Sequence, residues 1–315
     1  MYIIAKMRLF FQVTHCRNSA YNSMRKHKGS YMDLNQNVNE NVDTGTLRIH
    51  LTNESNGTPV QGAKISISYT GNPSQTIEEV SADDSGNSEE LTLNAPPLEY
   101  SMEPSEEQPY AEYTIRVQAP GYRDITVSAI NVLPGETAIQ NVRMEAEDAP
   151  GDRIDMVVIA AHTLYAEYPP KIPEDEIKPM NESGEIVLSR VVIPEYIVVH
   201  DGAPGDTTAS DYYIRYRDYI KNVASSEIYA TWPDAAIRAN VLAIMSFTLN
   251  RVYTEWYRGK GYNFTITSST AYDHKFIYGR NYFQSISRVV DEMFENYLSR
   301  PNVKQPILTQ YCDGS

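Results

Sequence analysis

From Gly45 onward, apolar and polar residues alternate in short runs, the period of strands that bury one face. Such runs fall at 46–51, 63–69, 78–81, 88–93, 111–118, 123–132 and 138–144. Turn formers separate several of them: Asn56-Gly57, Asp84-Ser85-Gly86-Asn87, Pro120-Gly121 and Pro134-Gly135. About seven short strands in roughly a hundred residues predict an all-β sandwich.

Past residue 146 the pattern changes. Residues 155–166 are amphipathic and compatible with either a strand or a helix, and 187–200 give two β runs around Pro194. From Tyr212 the spacing becomes helical: a first helix, a break over 225–229, then a longer helix entered through Trp232-Pro233-Asp234. Proline suits a helix start because its missing N–H needs no partner there, and an aspartate in the first turn suits the dipole. Ile237, Val241, Ile244, Met245, Thr248, Leu249 and Val252 recur at intervals of three and four, which predicts one buried stripe. Gly259 and Gly261 stop that helix. A third helix is expected over 282–299, before Pro301, and a further strand from 307.

Length allows two domains: 315 residues. The expected layout is a basic extension and polar linker, without order, at 1–44, a sandwich at 45–146, a lead-in at 147–184 and a second domain at 185–315. Formal net charge is −14, the wrong sign for a nucleic-acid binder. Cys16 and Cys312 sit at opposite ends and offer neither a disulfide framework nor metal-ligand spacing. Lys6, Arg8, Arg17, Arg25, Lys26 and Lys28 make residues 1–31 basic. The apolar stretch at 2–13 is too short and too charged for a membrane span, and no clear signal peptide is present.

Two local sequences carry a resemblance. Tyr219-Ile220-Lys221-Asn222-Val223-Ala224-Ser225-Ser226-Glu227-Ile228, followed by Trp232-Pro233 and Ala236-Ile237-Arg238-Ala239-Asn240-Val241, resembles the SpoIID/LytB family (stage II sporulation protein D). Gly57-Thr58-Pro59-Val60-Gln61-Gly62-Ala63-Lys64-Ile65, with Tyr113 to Val117 and Pro120-Gly121-Tyr122, looks like the carboxypeptidase regulatory-like, transthyretin-like sandwich. The implied fold is an all-β transthyretin/Ig-like sandwich followed by an α+β SpoIID-like domain that lacks its C-terminal part. The pairing is also similar to spore cortex-lytic enzymes of the SleC type.

The first resemblance implies a lyase: a lytic transglycosylase that cuts peptidoglycan between N-acetylmuramic acid and N-acetylglucosamine in wall or spore cortex, during sporulation or germination. Glu227 matches the family's catalytic glutamate. One carboxyl group gives its proton to the glycosidic oxygen and then takes one from the muramic 6-hydroxyl, which attacks C1 and leaves a 1,6-anhydro end. An internal nucleophile removes the need for the second carboxylate of ordinary glycosidases.

Tyr229 and Trp232 flank the glutamate, and with Tyr272 and Tyr278 they offer flat faces for sugar stacking. Arg238, where the family often has lysine, is expected to bind a sugar carboxylate, hold Glu227, or form a surface ion pair. Met245 stands where many members carry arginine, so the anchoring role of that charge is expected to be absent or taken over by Arg251, which would then meet substrate. Some members resemble zinc sites in the loop after the long helix. Here Asp273 and His274 alone cannot close a tetrahedral site, so no metal and no cofactor is expected. The expected partners are glycan strands and other wall-lytic or sporulation proteins, in the cell envelope or cortex. A reading from another class is a wall-binding scaffold whose SpoIID-like domain is degenerate.

Overall fold

The structure is a computed structural model that describes residues 42–104, 106–150, 154–161, 164, 168–175 and 190–310. The basic extension, most of the polar linker and the segment from 311 lie outside the described residues. What is described is mostly β-sheet with few helices: twelve strands and four α-helices.

The first seven strands follow the sequence alternation closely. They are β1 (Asp43–Asn53), β2 (Lys64–Tyr69), β3 (Thr76–Ser81), β4 (Leu91–Ala95), β5 (Ala111–Gln118), β6 (Ile125–Val132) and β7 (Thr137–Met144). A one-turn helix, α1 (Glu99–Met102), which the sequence pattern does not show, sits between β4 and β5. Alternate residues of these strands are sealed from solvent: Leu47, Ile49 and Leu51 of β1, Ile65 and Ile67 of β2, Tyr113, Ile115 and Val117 of β5. Each such aliphatic side chain contributes about 1.5–3 kcal/mol by leaving water. The Tyr113 hydroxyl donates 2.8 Å to the Asn94 carbonyl, linking a strand of one sheet to a strand of the other.

Each sheet is completed from outside residues 45–146. The order of one is β3-β2-β5-β6-β8, where β8 (Met156–Val158) runs parallel to β6. The order of the other is β12-β7-β1-β4, where β12 (Tyr282–Phe283) pairs antiparallel with β7, Tyr282 opposite Ile139. Beside β12, Asn281 and Asn131 bind reciprocally through side-chain amide and backbone, at 3.0 Å each way.

The remaining elements are β9 (Tyr196–His200), β10 (Asp211–Arg215), α2 (Tyr216–Glu227), α3 (Asp234–Tyr253), β11 (Ile266–Thr267) and α4 (Gln284–Met293). The first helix therefore starts at Tyr216 rather than Tyr212. Tyr212 to Ile214 are strand, because their backbone pairs with β9 and their side chains alternate in exposure. The long helix ends at Tyr253, well before Gly259, and Gly261 (φ +87°) instead closes a short 3-10 turn at Arg258–Lys260. The third helix is shorter than its periodicity suggests, since Tyr282 and Phe283 are drawn into the sheet and the helix stops at Met293. Among the described residues, Met156–Val158 is the only strand in the ambiguous stretch 155–166, and neither the β run before Pro194 nor the one expected from 307 forms a strand.

Gly86 is a position only glycine fills comfortably. It has φ +76°, and a Cβ there would lie 2.4 Å from the Leu51 carbonyl oxygen, beside the Leu51 N–H that its own carbonyl accepts. Gly86→Ala is expected to destabilise the fold by about 2 kcal/mol or more, read as a lower urea midpoint. Gly135→Ala, at φ +69° with open space around it, should cost only about 1 kcal/mol.

Candidate functional site

The break after α2 comes later than the sequence implies. The Ser226 hydroxyl bonds the Asn222 carbonyl one turn back at 2.9 Å, so the serines continue the helix and Ile228 leaves it in extended geometry. Glu227 is thus the last helical residue, half-buried, and not part of the loop. Its carboxylate accepts the Lys275 N–H at 2.8 Å. Tyr219, Tyr168 and Lys171 all lie within reach of its charge.

Tyr168 and Lys171 come from a proline-rich connector in which no periodicity singles out either residue. The connector is fastened along its length. The Lys171 ammonium donates to the Asp273 carbonyl, the Ile172 N–H donates 2.7 Å to Ala271, and the Glu174 carboxylate takes both terminal nitrogens of Arg251 at 2.6 and 2.7 Å. Asp273 and Lys275 belong to one turn, which offers a carbonyl to Lys171 and an N–H to Glu227. That turn brings ammonium and carboxylate together.

Beneath it lies a buried ionic network. Arg251 Nε donates 2.7 Å to Asp273 Oδ1, and both side chains are fully enclosed. Asp273 Oδ2 accepts from the Tyr257 hydroxyl at 2.7 Å and from the Thr267 N–H and hydroxyl at 2.9 and 2.7 Å. Its four bonds leave the carboxylate no capacity for a metal. Among the described residues no group of three His, Cys, Asp or Glu side chains is placed to hold one.

Burial governs the titration of the surrounding groups. Desolvation lowers Lys171, opposed by the charges of Glu227 and Asp273. His274 is held well below its usual range by burial, then by Lys171 and Arg251. Desolvation is also the main cause that raises Tyr113, Tyr216, Tyr219 and Tyr257 above 10.0. Unfolded, these phenols ionise near pH 10. Folded, they do not, so above that pH the unfolded state binds fewer protons and stability falls as pH rises. Each phenol should remove up to about 1.4 kcal/mol per pH unit above 10. The expected result is cooperative alkaline unfolding, with tyrosinate absorbance and far-UV dichroism changing together.

An open groove of about 340 Å³ adjoins the turn, lined by Tyr212, Tyr278, Lys275, Asp201, Ser268 and the β8 residues among others. Tyr212 and Tyr278 stack at 4.3 Å between ring centres. Glu227 does not line the groove; Lys275, whose backbone N–H holds it, does.

The sequence-derived site residues therefore separate. Glu227 and Tyr229 stay together at the end of α2, but Tyr229 is buried, its hydroxyl accepting the Leu164 N–H at 3.2 Å. Trp232 meets Tyr229 edge-on, and its indole N–H donates 2.9 Å to the Ser101 carbonyl of α1, so it ties the elbow to the helix between β4 and β5. Arg238 takes the surface role: it pairs with Asp234 and Glu292, which Arg288 also bridges. Arg251, expected to meet substrate, has no accessible side-chain surface and is consumed by Glu174 and Asp273. Tyr272 is half-buried and lends its carbonyl to Arg251 at 3.1 Å. Tyr278, 38 % exposed, is the one predicted aromatic that lines the groove. Met245 is sealed within α3.

No protein-family model matches the chain, and no curated protein sequence does. Among solved structures, the Bacillus anthracis TIE protein is 23 % identical over 33 % of this chain and 17 % of its own, with a TM-score of 0.23. The minor pilin of Streptococcus agalactiae is 10 % identical over 36 % and 48 %, at 0.25. Klebsiella pneumoniae 5-hydroxyisourate hydrolase is 18 % identical over 32 % and 87 %, at 0.21. The chain thus spans less than half the length of the first two. Likenesses this distant assign it neither class nor activity.

Proposed function

We propose that the chain is a peptidoglycan lytic transglycosylase with Glu227 as its acid and base, built as a transthyretin-like sandwich joined to a SpoIID-like α+β domain. One observation carries this reading. A half-buried carboxylate, fixed by the Lys275 N–H and within charge reach of Tyr168 and Tyr219, stands beside a groove with a stacked tyrosine pair. Tyrosine faces and a lone carboxylate are what an internal 6-hydroxyl attack on a sugar requires. The Tyr219-to-Val241 resemblance supplies the substrate class.

A second reading, a wall-binding protein without catalysis, draws on a different observation. The Lys171 ammonium faces Glu227, which favours the ionised carboxylate over the proton-bearing acid, and Glu227 is set back from the groove. The test is a digest of peptide-stripped glycan strands, read by mass spectrometry. Anhydro-muramic ends from the parent and none from Glu227→Gln support the enzyme. Reducing ends would mean hydrolysis by another scheme. Strands that bind but stay intact would leave the wall-binding reading.

A further inference from the structure

Arg280 is an enclosed cation with no counter-charge among the described residues. Only 6 % of it is accessible, and its Nε and Nη1 are buried with no hydrogen-bond acceptor among the described residues. No described carboxylate pairs with it; the charged or polar groups felt at the guanidinium are the phenols of Tyr110 and Tyr229, themselves 6 % and 3 % accessible. Arginine keeps its proton in proteins, so it cannot escape this cost by becoming neutral. An unpaired buried ion costs several kcal/mol.

Nor can the backbone carry it outward. On one side the Gly279 carbonyl accepts the Gln140 side-chain amide at 3.0 Å; on the other, Asn281 is locked to Asn131 and leads directly into β12. Gly279 also packs so closely that a Cβ there would lie 2.4 Å from Val157 Cγ1. The fold thus holds a guanidinium in place, at some expense, between the segment before β5 and the elbow after α2. A chain folding for stability alone would place a methionine or leucine here. Retained and rigidly mounted, the donors await an acceptor.

We propose that Arg280 is the receptor for a small oxyanion, a carboxylate or a phosphate, bound between Tyr110 and Tyr229. Charge-assisted bonds from Nε and Nη1 would satisfy both orphan nitrogens, and enclosure strengthens such pairing by excluding water. Tyr229 lies two residues from Glu227, so the bound anion would sit at the base of the same elbow. The proposal stands whether or not Glu227 is catalytic.

The test uses the full chain labelled with nitrogen-15 arginine. Sodium acetate and sodium phosphate are titrated separately against sodium chloride at constant ionic strength. The Arg280 Nε–H resonance and the melting temperature are followed. At least one oxyanion is expected to move the resonance saturably and raise the melting temperature, while chloride does neither. Acetate alone would assign a carboxylate ligand, phosphate alone a phosphate. Arg280→Lys should bind about tenfold more weakly, having lost the planar fork, and Arg280→Met should abolish the response. Equal melting shifts in Arg280→Met and the parent, or a resonance unmoved by both anions, would overturn the proposal and leave a guanidinium solvated by internal water. Should Arg280→Met not fold, the parent's resonance decides alone.

Discussion

Arg251→Met is expected to destabilise the chain by about 3–5 kcal/mol, the largest loss from any single substitution considered. The reason is what would be left behind. Arg251 answers two carboxylates: it meets Glu174 through both terminal nitrogens and Asp273 through Nε, with side-chain accessibility of 0 %, 6 % and 0 % for the three groups. Without it, Glu174 and Asp273 face each other's charge in a dry interior, and the Tyr272 carbonyl loses a donor. Arg251→Lys keeps the charge but cannot span three acceptors, so an intermediate loss of about 1–3 kcal/mol is expected. Urea unfolding of the two variants checks this. Midpoints equal to the parent's would mean that the network is open in solution. A further consequence concerns the connector: because Glu174 is anchored to Arg251, the same substitution should loosen Lys171 and Tyr168, visible as new protease cleavage near residue 171.

On the proposed transglycosylase reading, Glu227→Gln is expected to lower the rate of glycan cleavage by about 10²–10⁴-fold, the contribution of a positioned acid and base. Stability should move little, because the glutamine oxygen can still accept the Lys275 N–H. Lys171 provides a sharper check on the mechanism. Its ammonium favours the carboxylate form of Glu227, whereas the first step of the proposed reaction needs the protonated form. Replacing it by methionine should therefore shift the alkaline limb of the pH–rate profile upward. The sign matters here. Removing a neighbouring positive charge makes the acid hold its proton to higher pH, so activity should persist further into the neutral range. A limb that stays in place would show that Lys171 does not act on Glu227, and a downward shift would contradict the geometry outright.

Legibility in the sequence varied with how local the cause was. The first seven strands were readable because each buries one face, and Leu47, Ile49 and Leu51 recur at period two. The segment Tyr212 to Tyr216 was not, because aromatic residues in close succession satisfy strand and helix periods alike; the pairing with β9 decides it. Tyr282 and Phe283 read as the first turn of a helix until β7 claims their backbone, a partner far away in sequence. Glu227 could be singled out from its neighbours in the chain, but the groups around it could not. Lys171 and Tyr168 lie in a proline-rich connector without periodicity, while Asp273 and Lys275 lie in a loop. Arg251 looked available because cations in the last turn of a helix are usually solvated; only the enclosure of α3 on nearly every side in its second half excludes that. Arg280 gave no signal at all, since a lone arginine beside a glycine is ordinary on a surface.

The pairing of β12 with β7 has a consequence in time. During synthesis β7 leaves the ribosome about 140 residues before Tyr282, and at about 5–20 residues per second its outer edge waits roughly 7–28 s for a partner. Throughout that interval a strand with open backbone donors and acceptors is available to any neighbouring chain. Nascent chains crowded on one messenger should therefore aggregate more readily than the finished protein, and slower translation beyond residue 144 should worsen the yield.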